Sequence, residues 1–189
     1  MPVPPRLKAL LADCALCLGL ALVGAALFVR SGAFDVAASK PHTRLTYGIT
    51  RSTMEYSVRV HARGIEAPTP FTGRQVAAGF CAYAAHCVMC HGALSVGRQP
   101  WVNGMTPDPP YLVGAPRRWT PAELFWIIRH GVKMTGMPAW EGRLSDAEIW
   151  NLVAFLEGPP NRQPGVYARM RESASCPKGV GIDGPPATP

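Results

Sequence analysis

The chain opens on one long apolar stretch and then changes period. Ala9 to Val29 is apolar except at Asp13. Wound as a helix, those residues reach about 31 Å, the thickness of one bilayer core. Arg6 and Lys8 precede the run and predict a cytoplasmic N-terminus. A cleaved signal peptide is the competing assignment, because Asp13 shortens the clean run. The full run is longer than a normal signal core, however. Arg30-Ser31-Gly32 is a poor cleavage sequence, and the better Ala37-Ala38-Ser39 lies far downstream. The pattern therefore predicts an uncleaved N-terminal membrane anchor over residues 1–30.

Beyond it, apolar positions recur at helical spacing between recognisable start and stop signals. In the connector, residues 31–69, Ser52-x-x-Glu55 has the form of a capping box and Gly64-Ile65 that of a helix stop. Met54, Val58 and Ile65 share a helical face, whereas Met54, Tyr56, Val58 and Val60 alternate as a strand would. The end signals favour a short helix over 53–63, acting as a spacer packed on the domain or as a docking element for a neighbouring subunit. Thr72-x-x-Gln75, with Phe71 and Val76 as hydrophobic staple, predicts a helix running to about Cys90. Thr120-Pro121-x-Glu123, stapled by Trp119 and Leu124, starts another that ends near His130-Gly131. Ser145-x-x-Glu148, stapled by Leu144 and Ile149, starts a third that stops at Gly158-Pro159-Pro160. Two loops, 92–119 and 131–144, separate these helices. The domain is thus all-α over residues 70–160, and the Pro/Gly-rich residues 161–189 read as a flexible tail.

Composition narrows the function. Charged residues make up 16% and apolar residues 48%, which suits a membrane-associated chain or a compact domain filled by a cofactor. The formal net charge is +7, but residues 70–160 are near neutral, and the basic excess sits in residues 30–69 and in the tail. No basic run with interleaved aromatics occurs, so no nucleic-acid partner is expected. Basic residues close to a membrane suit lipid headgroups or a partner protein.

The candidate chemistry centres on Cys87-Val88-Met89-Cys90-His91, the attachment signal for c-type haem. On one helical turn two thiols reach the two vinyl groups of one porphyrin, and the next residue offers imidazole to the iron. A zinc site would need two further ligands at short spacing, and none follows. Cys14 and Cys17 lie in the apolar run, followed by Leu18 rather than His, and read as thiols of a membrane helix. Cys81 and Cys176 remain. In an exported domain they could pair, and spacing alone leaves that open.

Helix, haem motif, long Pro/Gly loop, helix, Met loop and helix together resemble class I cytochrome c over roughly residues 70–160. Gly79-x-x-x-Tyr83-x-x-x-Cys87 looks like the family's first helix, with Trp150 and Phe155 as counterparts on the last. Pro110-Tyr111-Leu112 resembles the family's Pro-x-Leu. The resemblance implies that the Pro110 carbonyl accepts a hydrogen bond from the His91 ring, fixing it and strengthening its donation to iron. Gly136-Met137-Pro138 resembles the distal-ligand loop, which implies axial ligation by His91 and Met137. A thioether there favours the ferrous state and raises the potential relative to a second histidine. Met134, Met105, His130 and His86 are the competing ligands, with His86 expected at the surface. Trp101, Trp119, Trp126 and Trp140 read as pocket packing. Arg117, Arg118 or the indoles are candidates to bond the haem propionates.

The expectation is a membrane-anchored, single-haem carrier of single electrons rather than an enzyme. It would be single-pass in a bacterial inner membrane with the cytochrome domain in the periplasm. Its partners would be redox proteins of membrane complexes, and no small-molecule substrate is expected. A fixed subunit of a respiratory or dehydrogenase complex is the first alternative. A haem enzyme or gas sensor with an open iron site is the second, and no distal His and Arg pattern favours it.

Overall fold

The computed structural model describes residues 4–94, 96–112, 115, 118–159, 163, 165–173 and 176. Among these there are helices and turns and no strand beyond isolated bridges. The chain divides into two compact units, Met1–Lys40 and Pro41–Pro189.

The first unit holds α1, Pro5–Ser31, which ends at Gly32 in the left-handed conformation (φ +68). It buries none of its residues within the protein, and it is long and apolar enough to cross a membrane. A signal sequence would meet the same description.

The second unit holds α2 (Arg44–His61), α3 (Gly73–His86), the single turn α4 (Val88–His91), a 3-10 turn at Pro100–Gly104, α5 (Pro121–His130), α6 (Asp146–Glu157) and α7 (Val166–Ser173). Capping starts the three central helices. At Thr72, Thr120 and Ser145 the hydroxyl accepts from the backbone three residues on, while Gln75, Glu123 and Glu148 reach back to the cap. Each box satisfies two orphan donors at once. The Ser145 backbone and hydroxyl donate to Glu148, which holds its carboxyl below the usual range.

The core lies where α3 crosses α6. Gly79 makes the crossing possible. A methyl group there would overlap the Asn151 carbonyl oxygen and lie 2.9 Å from Phe155 Cβ. Phe80, Tyr83, Ile149, Leu152, Val153 and Phe155 are all essentially sealed from solvent around that point. Their rings meet edge-on or tilted, Tyr83 on Phe155 at 4.8 Å and Phe80 on Phe155 at 6.0 Å.

Three expectations need correction. The connector helix begins at Arg44 rather than residue 53, capped by Thr43, so Ser52 lies inside it. An Arg51–Glu55 pair at i,i+4 and burial of Val58 support the longer helix. The helix expected to run from 73 to Cys90 breaks at Cys87 (φ −114), where a separate turn begins. The segment expected as a flexible tail contains α7. Its Tyr167 is 2% exposed, packed on Phe80 at 5.1 Å, and a Cys81–Cys176 disulfide (Cα–Cα 5.5 Å) ties the segment to α3. Residues 161, 162, 164, 174, 175 and 177–189 of that tail lie outside the described residues, as do Pro160 and Arg117.

Candidate haem site

The Cys87–His91 motif sits where α3 turns into α4. The backbone of Cys87 donates to Tyr83, and Cys90 and His91 both donate to the Cys87 carbonyl, at 3.1 and 2.9 Å. The two free thiols therefore stand one turn apart with the imidazole beside them. Burial pushes the Cys87 thiol up to about 12, with the neighbouring Cys90 adding to it, and burial also raises Cys90. Both are protonated at neutral pH.

The chain after the motif folds back to hold it. Gly92 adopts φ +61, and a side chain there would lie 2.8 Å from the Tyr111 ring. The Tyr83 hydroxyl donates to the Gly92 carbonyl at 2.6 Å, and Gln99 donates to the Met89 carbonyl at 2.9 Å. Arg98 organises the next stretch. Its guanidinium donates to Asp108 at 3.0 Å and to the Pro109 carbonyl, and it lies 4.5 Å over the Tyr111 ring. Those contacts fix the backbone on both sides of Pro110.

The Pro110 carbonyl is 2.8 Å from His91 Nδ1. A carbonyl only accepts, so Nδ1 carries the proton and Nε2 keeps a lone pair. Burial lowers the His91 pKa, the Pro110 bond opposes that, and the Arg98 charge lowers it further. The ring is held neutral, oriented and ready to donate through Nε2.

On the other side, α5 stops at Gly131 and the Met137 loop begins. Gly131 has φ +65, and a Cβ there would lie 2.7 Å from the Met137 carbonyl oxygen and 2.6 Å from the Pro138 carbonyl carbon. Only glycine fits. Val132 donates to the Met137 carbonyl, and Met137 itself donates to the Thr135 hydroxyl at 3.1 Å. The loop is thus pinned at Met137 from both ends. Trp140 and Glu141 both donate to the Arg129 carbonyl at 3.0 Å.

The competing ligands occupy other positions. Met134, at φ +59, is 93% exposed. Met105 packs its terminal methyl on Gly136. His130 faces Glu141 at 3.4 Å and the Trp126 ring at 5.0 Å, while His86 is exposed and lies 4.9 Å from the Trp140 ring. Arg118, a candidate for the propionates, instead pairs with Glu55 of α2 and flanks Trp119. Arg98 does not stand out in the sequence, and Glu55 stands out there only as the capping-box partner of Ser52. Nothing in their spacing marks the roles they take, because Arg98 gathers Asp108, Pro109 and Tyr111 and Glu55 reaches Arg118, all distant along the chain.

The donor set suits haem. Among the described residues no group of three His, Cys, Asp or Glu side chains could hold a bare metal ion. Two thiols, an imidazole and a thioether make sense where a macrocycle supplies the remaining nitrogens. Trp140 Nε1 is buried with no hydrogen-bond partner among the described residues, a spare donor whose chemistry suits a carboxylate.

Residues 74–156 match the family model for cytochrome c oxidase, cbb3-type, subunit III. The Dihydro-heme d1 dehydrogenase of Pseudomonas aeruginosa is 35% identical over 88 residues, which cover 47% of this chain and 16% of that protein. The chain thus spans a small part of that relative. Helical fold, capped α3–α6 crossing and family match agree on one assignment: residues 74–156 are a class I-like c-type cytochrome domain, a family that carries covalently bound haem c.

Proposed function

We propose that the protein is a membrane-anchored c-type cytochrome that carries single electrons through one haem c at the periplasmic face of a bacterial inner membrane. The observation that carries this is the His91–Pro110 hydrogen bond, which presets the tautomer a proximal ligand needs. When bound, the haem supplies a reversible one-electron couple. Cys87 and Cys90 would hold it by thioether bonds, and His91, through Nε2, and Met137, from a loop fixed by Gly131 and Thr135, would be the residues that hold its iron. With the iron held by two side chains of this chain, no substrate would need to bind and little would rearrange on electron transfer. A helix of the length and apolarity of α1 would anchor the carrier and confine it to encounters with redox proteins at the same membrane.

A second reading makes the chain a fixed subunit of a larger oxidoreductase complex. The matched model describes an oxidase subunit, and the relative is a dehydrogenase. Co-purification in mild detergent separates a free carrier from a subunit.

The ligation is tested by adding carbon monoxide to the dithionite-reduced protein. The visible spectrum should stay unchanged in the wild type and shift in Met137→Ala, while Met134→Ala should behave as wild type. A prompt shift in the wild type would refute Met137 as a firm ligand and favour an open-site sensor or enzyme.

A further inference from the structure

The Met137 loop is shaped from within but placed from outside. Among the described residues, the hydrogen bonds of residues 132–137 stay inside the loop. Val132 donates to the Met137 carbonyl, the Thr135 backbone and hydroxyl donate to the Val132 carbonyl, and Met137 donates to the Thr135 hydroxyl. These bonds fix the curve of the loop. They do not fix its distance from the segment that carries Cys87 and His91.

Gly136 is where another segment reaches the loop. Its φ lies outside the left-handed region, unlike that of Gly131, so the backbone does not demand glycine there. The space that a Cβ would take is filled by the terminal methyl of Met105, whose Sδ would lie 3.5 Å from that Cβ. Apart from the chain neighbours of Gly136, no other atom of the described residues comes within 4 Å of the same point. The missing side chain at 136 makes room for this one methyl group.

Met105 is itself held. It is half-buried, and its backbone donates at 3.0 Å to the carbonyl of Val102, which is sealed from solvent. Gln99, just before the turn at Pro100–Gly104, donates to the carbonyl of Met89 inside the haem motif. On the far side Arg98 holds Asp108 and the Pro109 carbonyl. A continuous line thus runs from the motif through Met89, Gln99 and the turn to Met105, and from its methyl to Gly136. Methionine is often a filler of gaps, and its unbranched thioether suits this reach. A filler alone would not need a bare glycine opposite it.

We propose that Met105 is a positioning residue for the distal ligand: its methyl, seated on Gly136, holds the Met137 loop closed and slows the release of Met137 from the iron. The inference rests on the reading of Met137 as an axial ligand.

The test mixes the oxidised, haem-loaded full chain with imidazole and follows the haem spectrum by stopped flow. Imidazole enters only after the thioether leaves, so at saturating imidazole the rate reaches a plateau that reports loop opening. The oxidised state is used because a thioether favours the ferrous one. Resting spectra equal to wild type report that each variant is folded with the same ligands. Met105→Ala, and Gly136→Ala, which expels the Met105 methyl, should each raise the plateau at least about fourfold, the worth of one buried methyl group. Gly136 is exposed, so its variant tests the contact even where Met105→Ala disturbs the fold. Both changes remove one contact, so Gly136→Ala should add nothing in a chain that already carries Met105→Ala. A plateau unchanged in Met105→Ala, or Gly136→Ala acting equally with and without Met105, would overturn this inference alone. A wild-type rate that rises with imidazole without limit, and that Met137→Ala leaves unchanged, would overturn it together with Met137 as ligand.

Discussion

Gly79 and Gly48 offer the same one-methyl substitution with opposite expected outcomes. Both lie inside helices of the Pro41–Pro189 unit. At Gly48 an added Cβ meets nothing within 4 Å. Gly48→Ala should therefore keep only the helix-propensity gain, up to about 1 kcal/mol. At Gly79 the same gain is set against a methyl that overlaps the Asn151 carbonyl, lying 2.5 Å from its carbon and 2.9 Å from Phe155 Cβ. The obstacle is backbone, so no rotamer relieves it, and α3 and α6 must move apart at the centre of the core. Overpacking of this kind costs about 3 kcal/mol at the upper end of its usual range, leaving a net loss of about 2 kcal/mol for Gly79→Ala. At about 3 °C per kcal/mol for a unit of this size, melting should fall by about 6 °C in Gly79→Ala and rise by up to about 3 °C in Gly48→Ala. Thermal melts of the haem-loaded chain in detergent, followed by far-UV circular dichroism, read both. A Gly79→Ala protein that melts at or above the wild-type temperature would refute the assignment of Gly79 to close crossing.

Replacing Cys81 and Cys176 together with serine should destabilise the protein by about 4 kcal/mol, because the bridge closes a loop across 95 positions; urea titration checks it, and a change within error would show that the loop is already constrained by packing. Glu55 is held below the usual carboxylate range chiefly by its hydrogen bond from Arg51, with Arg118 adding to it and burial opposing. Its contribution is therefore present above the ordinary Glu pKa and lost as pH falls through the lowered folded value. The stability gap between wild type and Glu55→Gln should close on acidification below about pH 4, and a gap independent of pH would count against the pairing.

How much was legible beforehand depended on the range of the signal. The starts of α3, α5 and α6 were readable because a capping box is written within four residues, as at Thr120 and Glu123. The haem motif was readable for the same reason. The start of α2 was not, since Thr43 lacks an acidic partner three residues on and Ser52–Glu55 imitates one. Helix α7 was hidden by its Pro- and Gly-rich surroundings. What orders it is Tyr167 between Phe80 and Phe155 and a cysteine 95 positions away, both tertiary facts. Arg98 was invisible because its value lies in gathering Asp108, Pro109 and Tyr111 around Pro110. Gly136-Met137-Pro138 points to Met137 in the sequence, and the structure adds only that Met134 is 93% exposed while Met137 is partly buried.

The Cys81–Cys176 bridge sets a sorting problem for biogenesis. Four thiols of the second unit enter one compartment, and four cysteines allow three complete pairings. With haem attached at Cys87 and Cys90 as proposed, the required outcome is none of the three: Cys81 must find Cys176 while Cys87 and Cys90 stay reduced. As the chain emerges from its N-terminus, Cys81 meets Cys87 and Cys90 long before its proper partner exists. The nearest thiols are therefore the wrong ones, and the bridge is expected to close last. Assembly in cells would then depend on a reductant that keeps the motif open and on prompt haem delivery. Yield should respond to the redox balance of the compartment even where the finished protein is indifferent to it.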